Sequence, residues 1–211
     1  MRVVLYGAAF VLALSSFARA QDTPTDDPLF DTVAARLAAP AVLRGSFKQT
    51  RHLQLISKPL QSSGRFLLSD MGLYWEQDEP LKSVMIADGE RLLQRIGDGP
   101  LQSVDVARNP VVLTFSQSFL SIFKGSKDEL RSYFDLEFQP AGDEADGWTI
   151  VLTPISYPMS EAIASINVSG REYIEELTVN SRSSEETIIR FSNLQTEPDE
   201  LTEHEIELYA R

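Results

Sequence analysis

From Leu43 onward, apolar residues recur in short runs that stop at turn-forming residues, and this rhythm constrains the fold more than any other feature. The Phe47 segment, residues 64–69, 73–77 and 83–87 are strand-length runs set apart by Pro59, Asp70 to Gly72, Glu79-Pro80 and Asp88-Gly89. Residues 91–95 and 102–106 continue the meander across the Gly97-Asp98-Gly99-Pro100 turn. Phe134, Leu136 and Phe138 alternate with Asp135 and Glu137, as on a strand with one buried face. Runs 148–153, 162–168, 172–179 and 186–194 follow, with turns at Asp146-Gly147, Ser169-Gly170 and Ser181 to Ser184. No βαβ rhythm appears, so one large antiparallel sheet is expected. A final short strand is expected around Ile206 and Leu208.

Two helices are expected beside the sheet. Asp27 as N-cap and Pro28 at the first helical position open one, Phe30, Val33, Ala34 and Leu37 recur at helical spacing, and Pro40 ends it. Asn109-Pro110 opens the other, with Val112, Phe115, Phe119, Ile122 and Phe123 at near-helical intervals up to Gly125. This second helix is unusually apolar and aromatic for its length.

Residues 1–20 read as a signal peptide. Arg2 supplies a positive start, Val3 to Leu14 an apolar run, and Ala18-Arg19-Ala20 the small residues a signal peptidase accepts. The run is shorter than the ~20 residues a spanning helix needs. No cysteine follows the cleavage site, so the expectation is a soluble, non-lipidated protein of the bacterial periplasm. Residues 21–211 then form a single domain, beginning with a polar lead-in over 21–27 and large enough to bury a core without disulfides. Loss of Arg2 and Arg19 leaves 17 basic against 31 acidic residues, a net charge of −14. A surface of that sign repels nucleic acid and anionic lipid headgroups.

Residues suited to catalysis are scarce. His52 and His204 lie far apart on polar segments, whereas a metal site needs clustered ligands. Without cysteine there is no thiolate zinc site and no thiol nucleophile. Ser121-Ile122-Phe123-Lys124 matches the Ser-x-x-Lys pattern of penicillin-recognising enzymes, but the companion Ser-Asp-Asn and Lys-Thr-Gly elements are missing. The acidic groups Asp143, Glu144, Asp146 and Glu197, Asp199, Glu200 lack the spacing of a calcium loop and read as solvated segments. Neither a cofactor, a metal nor an enzymatic activity is expected. What remains is an apolar sheet face and an aromatic helix, which read either as ordinary core or as the wall and cover of a cavity.

Several segments bear on that choice. They are Gly45-Ser46-Phe47-Lys48-Gln49 after the first helix, Gly64-Arg65-Phe66, Leu73-Tyr74-Trp75 followed by Glu79-Pro80, and Ser83 to Gly89. Asn109-Pro110, Asp146 to Pro154 and Ile163 to Gly170 come later in the same order. The set resembles the periplasmic outer-membrane lipoprotein carrier (LolA) family over most of the mature chain. The resemblance implies a mainly β fold, an incomplete, half-open antiparallel β-barrel covered by a helical lid. It also implies a monomeric carrier that holds acyl chains of lipoproteins or related lipids and transfers them toward the outer membrane. An inner-membrane donor complex and an outer-membrane acceptor are implied as partners. Phe47, Phe66, Leu73 and Trp75 are then expected to wall the cavity, with Phe115, Phe119, Ile122 and Phe123 as its lid. The family's basic latch before the aromatic strand is not matched here, where Leu68-Ser69-Asp70-Met71-Gly72 stands instead. The alternative is a sensor or assembly module that docks a protein partner through the same apolar face.

Overall fold

A computed structural model describes residues 28–38, 40–88, 91–104, 117–118, 120–140 and 147–209. The expected signal peptide, Asp27, and the Asn109-Pro110 expected to open the aromatic helix lie outside them. The strands are β1 (Leu43–Leu53), β2 (Ile56–Ser69), β3 (Gly72–Glu79), β4 (Ser83–Ala87), β5 (Leu92–Ile96) and β6 (Gln102–Ser103). After the helical middle come β7 (Phe134–Pro140), β8 (Trp148–Pro154), β9 (Ile163–Gly170), β10 (Ile174–Ser181) and β11 (Glu186–Gln195).

All eleven strands form one antiparallel sheet in the order β6-β5-β4-β3-β2-β1-β11-β10-β9-β8-β7. Two meanders are joined at their middle, where the first strand of one pairs with the last strand of the other, placing Phe47 opposite Phe191. The free edges are β6 and β7, so the sheet does not close. Twist accumulated at ~20–25° per strand curls a sheet this wide. The chain between β6 and β7 therefore leads from one free edge to the other, and helices lie in that connection and elsewhere along the chain.

Those helices are α1 (Pro28–Leu37), α2 (helical residues 117–118 and 120–123), α3 (Lys127–Tyr133), the single turn α4 (Met159–Ala162) and α5 (Glu203–Tyr209). Alternation gives the sheet two unlike faces. The larger core takes Phe47, Phe66, Leu73, Leu152, Ile166 and Leu177 from the sheet, and meets Val33 and Leu37 of α1, Ile122 and Phe123 of α2 and Leu130 of α3. A smaller core on the other face joins Val42, Leu67, Tyr74, Val84 and Ile86, packed against Leu208 and Tyr209 of α5.

Two expectations are corrected. The C-terminal segment is helix α5, not a strand, and its Leu208 and Tyr209 pack on the back of β2–β5 beside Leu201, which precedes the helix. Pro59 does not separate strands but lies within β2, at the end of the β1–β2 ladder where the register is irregular. An edge position with no partner on the β3 side tolerates a residue lacking an N–H.

Candidate functional site: the concave aromatic face

The site begins with strand register. Phe66 lies opposite Trp75, and Leu68 opposite Leu73, so all four side chains share the face turned toward α1–α3. Phe47 reaches the same cluster from β1, where its cross-strand partner on β2 is Gly64. With no side chain at Gly64, the Phe47 and Trp75 rings stack across the intervening strand, their centroids 3.8 Å apart. Gly64 has a second reason to be glycine: a Cβ there would stand 1.9 Å from the Glu76 carbonyl oxygen.

Phe191 of β11 completes the cluster. Its ring centroid lies 5.4 Å from Phe66, 6.3 Å from Trp75 and 5.3 Å from Phe123, each in edge-to-face geometry. Phe123 descends from α2 onto Phe66 at 5.9 Å. Such pairs add ~0.5–1.5 kcal/mol each beyond the area they bury. Sequence reading missed Phe191. The run 186–194 reads as a strand, but nothing local placed β11 beside β1.

The structure thus brings Phe47, Phe66, Leu73, Trp75, Ile122 and Phe123 into one cluster. Phe115 and Phe119 lie outside the described residues. A void of about 10 Å³ remains among Ala34, Leu37, Ile122, Leu130, Ile150 and Val168, room for no more than one water. The wall and lid side chains Phe47, Phe66, Leu73, Ile122 and Phe123 are all buried in this cluster. α1 and α3 are tied together by the Lys127–Asp31 ion pair, and Ser121 of α2 donates its hydroxyl to Glu129 of α3 at 2.7 Å. Ser121 therefore joins two helices, while Lys124, three residues on, is exposed to solvent.

The back face has its own lock. Arg44 grips Glu205 of α5 through two hydrogen bonds, at 2.6 and 2.9 Å, and donates two more to the carbonyls of Pro198 and Glu200. The Arg44 bonds hold the Glu205 carboxyl at about 2, well below its ordinary value. Tyr209 donates its hydroxyl to the carbonyl of Leu67 at 3.0 Å, with the Gly72 carbonyl 3.1 Å away. Burial pushes its phenol up to about 12. Ser69, at the position where the family's latch is expected, donates to that same hydroxyl at 3.3 Å. The Ser69-Asp70 segment is thus held by α5 on the back of the sheet.

Among the described residues no three metal-binding side chains gather, and no helix is long and apolar enough to cross a membrane. The arrangement is an open antiparallel half-barrel whose concave aromatic face is covered by helices. It is an open β-sheet scaffold with an apolar face under helices. The family model for the outer membrane lipoprotein carrier protein LolA matches residues 40–202, and the chain belongs to that family of carrier proteins.

Solved structures agree at the level of fold. A putative outer membrane lipoprotein-sorting protein domain from Vibrio parahaemolyticus is 10% identical, with 86% of this chain and 96% of that chain covered at a TM-score of 0.50. A DUF1329 family protein from Desulfovibrio piger is 11% identical, with coverages of 82% and 93% and a TM-score of 0.50. A LolA superfamily protein from Nitrosomonas europaea is 7% identical, with coverages of 82% and 95% and a TM-score of 0.46. No curated protein sequence matches the chain.

Proposed function

We propose that this protein is a periplasmic carrier that binds the acyl chains of lipoproteins or related lipids non-covalently and transfers them toward the outer membrane. The observation that carries this reading is the aromatic cluster of Phe47, Phe66, Trp75 and Phe191, capped by Phe123 from a helix outside the sheet. Each acyl methylene withdrawn from water is worth ~0.8 kcal/mol, so a long chain gains on the order of 10 kcal/mol without any covalent step. Because these wall and lid side chains are packed against one another, the guest takes the place of lid side chains. An acyl chain would replace Phe123 and Ile122 against the wall, exchanging one set of apolar contacts for another. That exchange keeps binding reversible, which a carrier requires.

The test uses the protein's two tryptophans. In a Trp148→Phe variant, Trp75 alone reports on the cluster, and a brominated fatty acid is expected to quench its emission. Phe66→Asp, which sets a charge in the wall, should abolish quenching. Mass spectrometry of the protein purified from its native compartment should find bound lipid. Absence of both quenching and lipid would sink the carrier reading and favour the second one, a module that docks a protein partner through this apolar face. The close packing of the wall residues against Ile122 and Phe123 is the observation behind that second reading.

A further inference from the structure

We infer that the β1–β2 hairpin is a docking element for an anionic phospholipid surface. Charge supplies the first observation. β1 and β2 carry Arg44, Lys48, Arg51, Lys58 and Arg65 and no acidic residue, in a chain whose net charge is −12. Arg44 is bound to Glu205 and Arg65 to Glu76. Lys48, Arg51 and Lys58 form no ion pair with any described residue, and all three are exposed. Near the tip, Glu186 lies 4.0 Å from His52.

Shape supplies the second observation. β2 pairs with β3 only from Ser63 onward, where Ser63 faces Glu79. Residues 56–62 therefore run past the β3 side of the sheet by roughly 20 Å at the rise of a strand. On the other side, β1 pairs with β11 only as far as His52 and Glu186. At the tip Leu55 is 98% exposed, with Ile56 at 45% and Leu60 at 46%. A protruding apolar side chain of this kind, flanked by unpaired cations, suits the headgroup–acyl boundary of a bilayer. The same end of the sheet bears the exposed Leu81 and Tyr157, on the β3–β4 and β8–β9 connections.

A partner strand fits this edge less well. Pro59 has no N–H to donate and lies in the segment without a β3 partner, which blunts strand addition. Nor does the hairpin form a pocket that would seat a partner's side chain. A bilayer needs neither a hydrogen-bonding edge nor shape complementarity. The inference goes beyond the cargo reading, because it concerns the lipid-free protein and a surface separate from the concave face.

Flotation of the exported, lipid-free chain with phosphatidylethanolamine vesicles, with and without phosphatidylglycerol, tests it. Binding is expected only with phosphatidylglycerol and should weaken as salt rises. Arg51→Glu combined with Lys58→Glu should lower vesicle affinity at least about 30-fold, from the worth of each cation near an anionic surface. Leu55→Asp should lower it about tenfold or more. Arg51, Leu55 and Lys58 are all exposed, and circular dichroism checks that the sheet is intact. As a second readout, Leu55→Cys adds the chain's only thiol, and a polarity-sensitive label there should shift to the blue on vesicles. The inference is overturned by equal binding to neutral vesicles, by no vesicle binding, by variants that bind like the parent, or by an unshifted label. Association with an envelope protein but not with vesicles overturns it as well.

Discussion

At the scale of residues, the concave face depends on where side chains are missing as much as on where they are large. Gly45 lies opposite Phe66, and a Cβ there would come within 2.6 Å of the Phe66 ring. Gly64 lets Phe47 and Trp75 stack and avoids the Glu76 backbone. Gly64→Ala is expected to destabilise the protein by about 2–3 kcal/mol, because the neighbour is backbone and has little freedom to retreat. Urea unfolding measures this, and an unchanged midpoint would mean that β3 shifts without cost. Both glycines stood out in the sequence as parts of Gly-Ser-Phe and Gly-Arg-Phe runs. Their physical role did not, since it arises from a neighbouring strand.

At the scale of elements, α5 shows what an amphipathic helix does when a sheet has two apolar faces. Its Leu208 and Tyr209 cover the back of β3 and β4, and Arg44–Glu205 fixes it to β1. The lowered Glu205 pKa gives the clasp a pH signature. Its stabilisation is fully present above the ordinary carboxylate value of 4.5 and is lost as pH falls toward about 2. Glu205→Gln should therefore flatten the acid limb of a melting-temperature profile between those values, and lower stability at neutral pH by about 1.5–3 kcal/mol. A variant whose acid limb matched the parent's would place the acid sensitivity elsewhere. Tyr209 acts in the opposite sense. Its raised pKa keeps the phenol neutral, so its contribution is present below the ordinary value of 10 and fades as pH rises toward about 12. The sequence reads as a strand here because Ile206 and Leu208 are spaced by two. The packing of Leu208 and Tyr209 has meaning only against the sheet they cover.

At the scale of the whole molecule, two parts are held by different forces. β1 and β11 lie at the middle of the sheet with ladders on both sides, whereas α1–α3 rest on the concave face through side-chain packing, with the Lys127–Asp31 pair tying α3 to α1. Amide hydrogens of α1, α2 and α3 are expected to exchange at least about tenfold faster than those of β1 and β11, through local opening of the lid. A saturating fatty acid should slow exchange in β2 and β3 while altering it in α2. Helices that exchange as slowly as β1 would mean that no lid opens on its own.

The sequence by itself determined that the chain is a mostly antiparallel β structure with an aromatic helix in its middle. Alternation, turn residues and helical spacing are local properties, and each segment carries its own. It also held the ordered motifs by which the family is recognised. Only the tertiary structure decided that β1 and β11 are neighbours, that Phe191 therefore joins Phe47 and Trp75, that the last segment is a helix on the back face, and that the β1–β2 tip stands beyond the sheet. These depend on pairing between residues more than a hundred positions apart, such as Phe47 with Phe191. Strand pairing is set by which apolar faces are buried together, and no local window of sequence contains both partners.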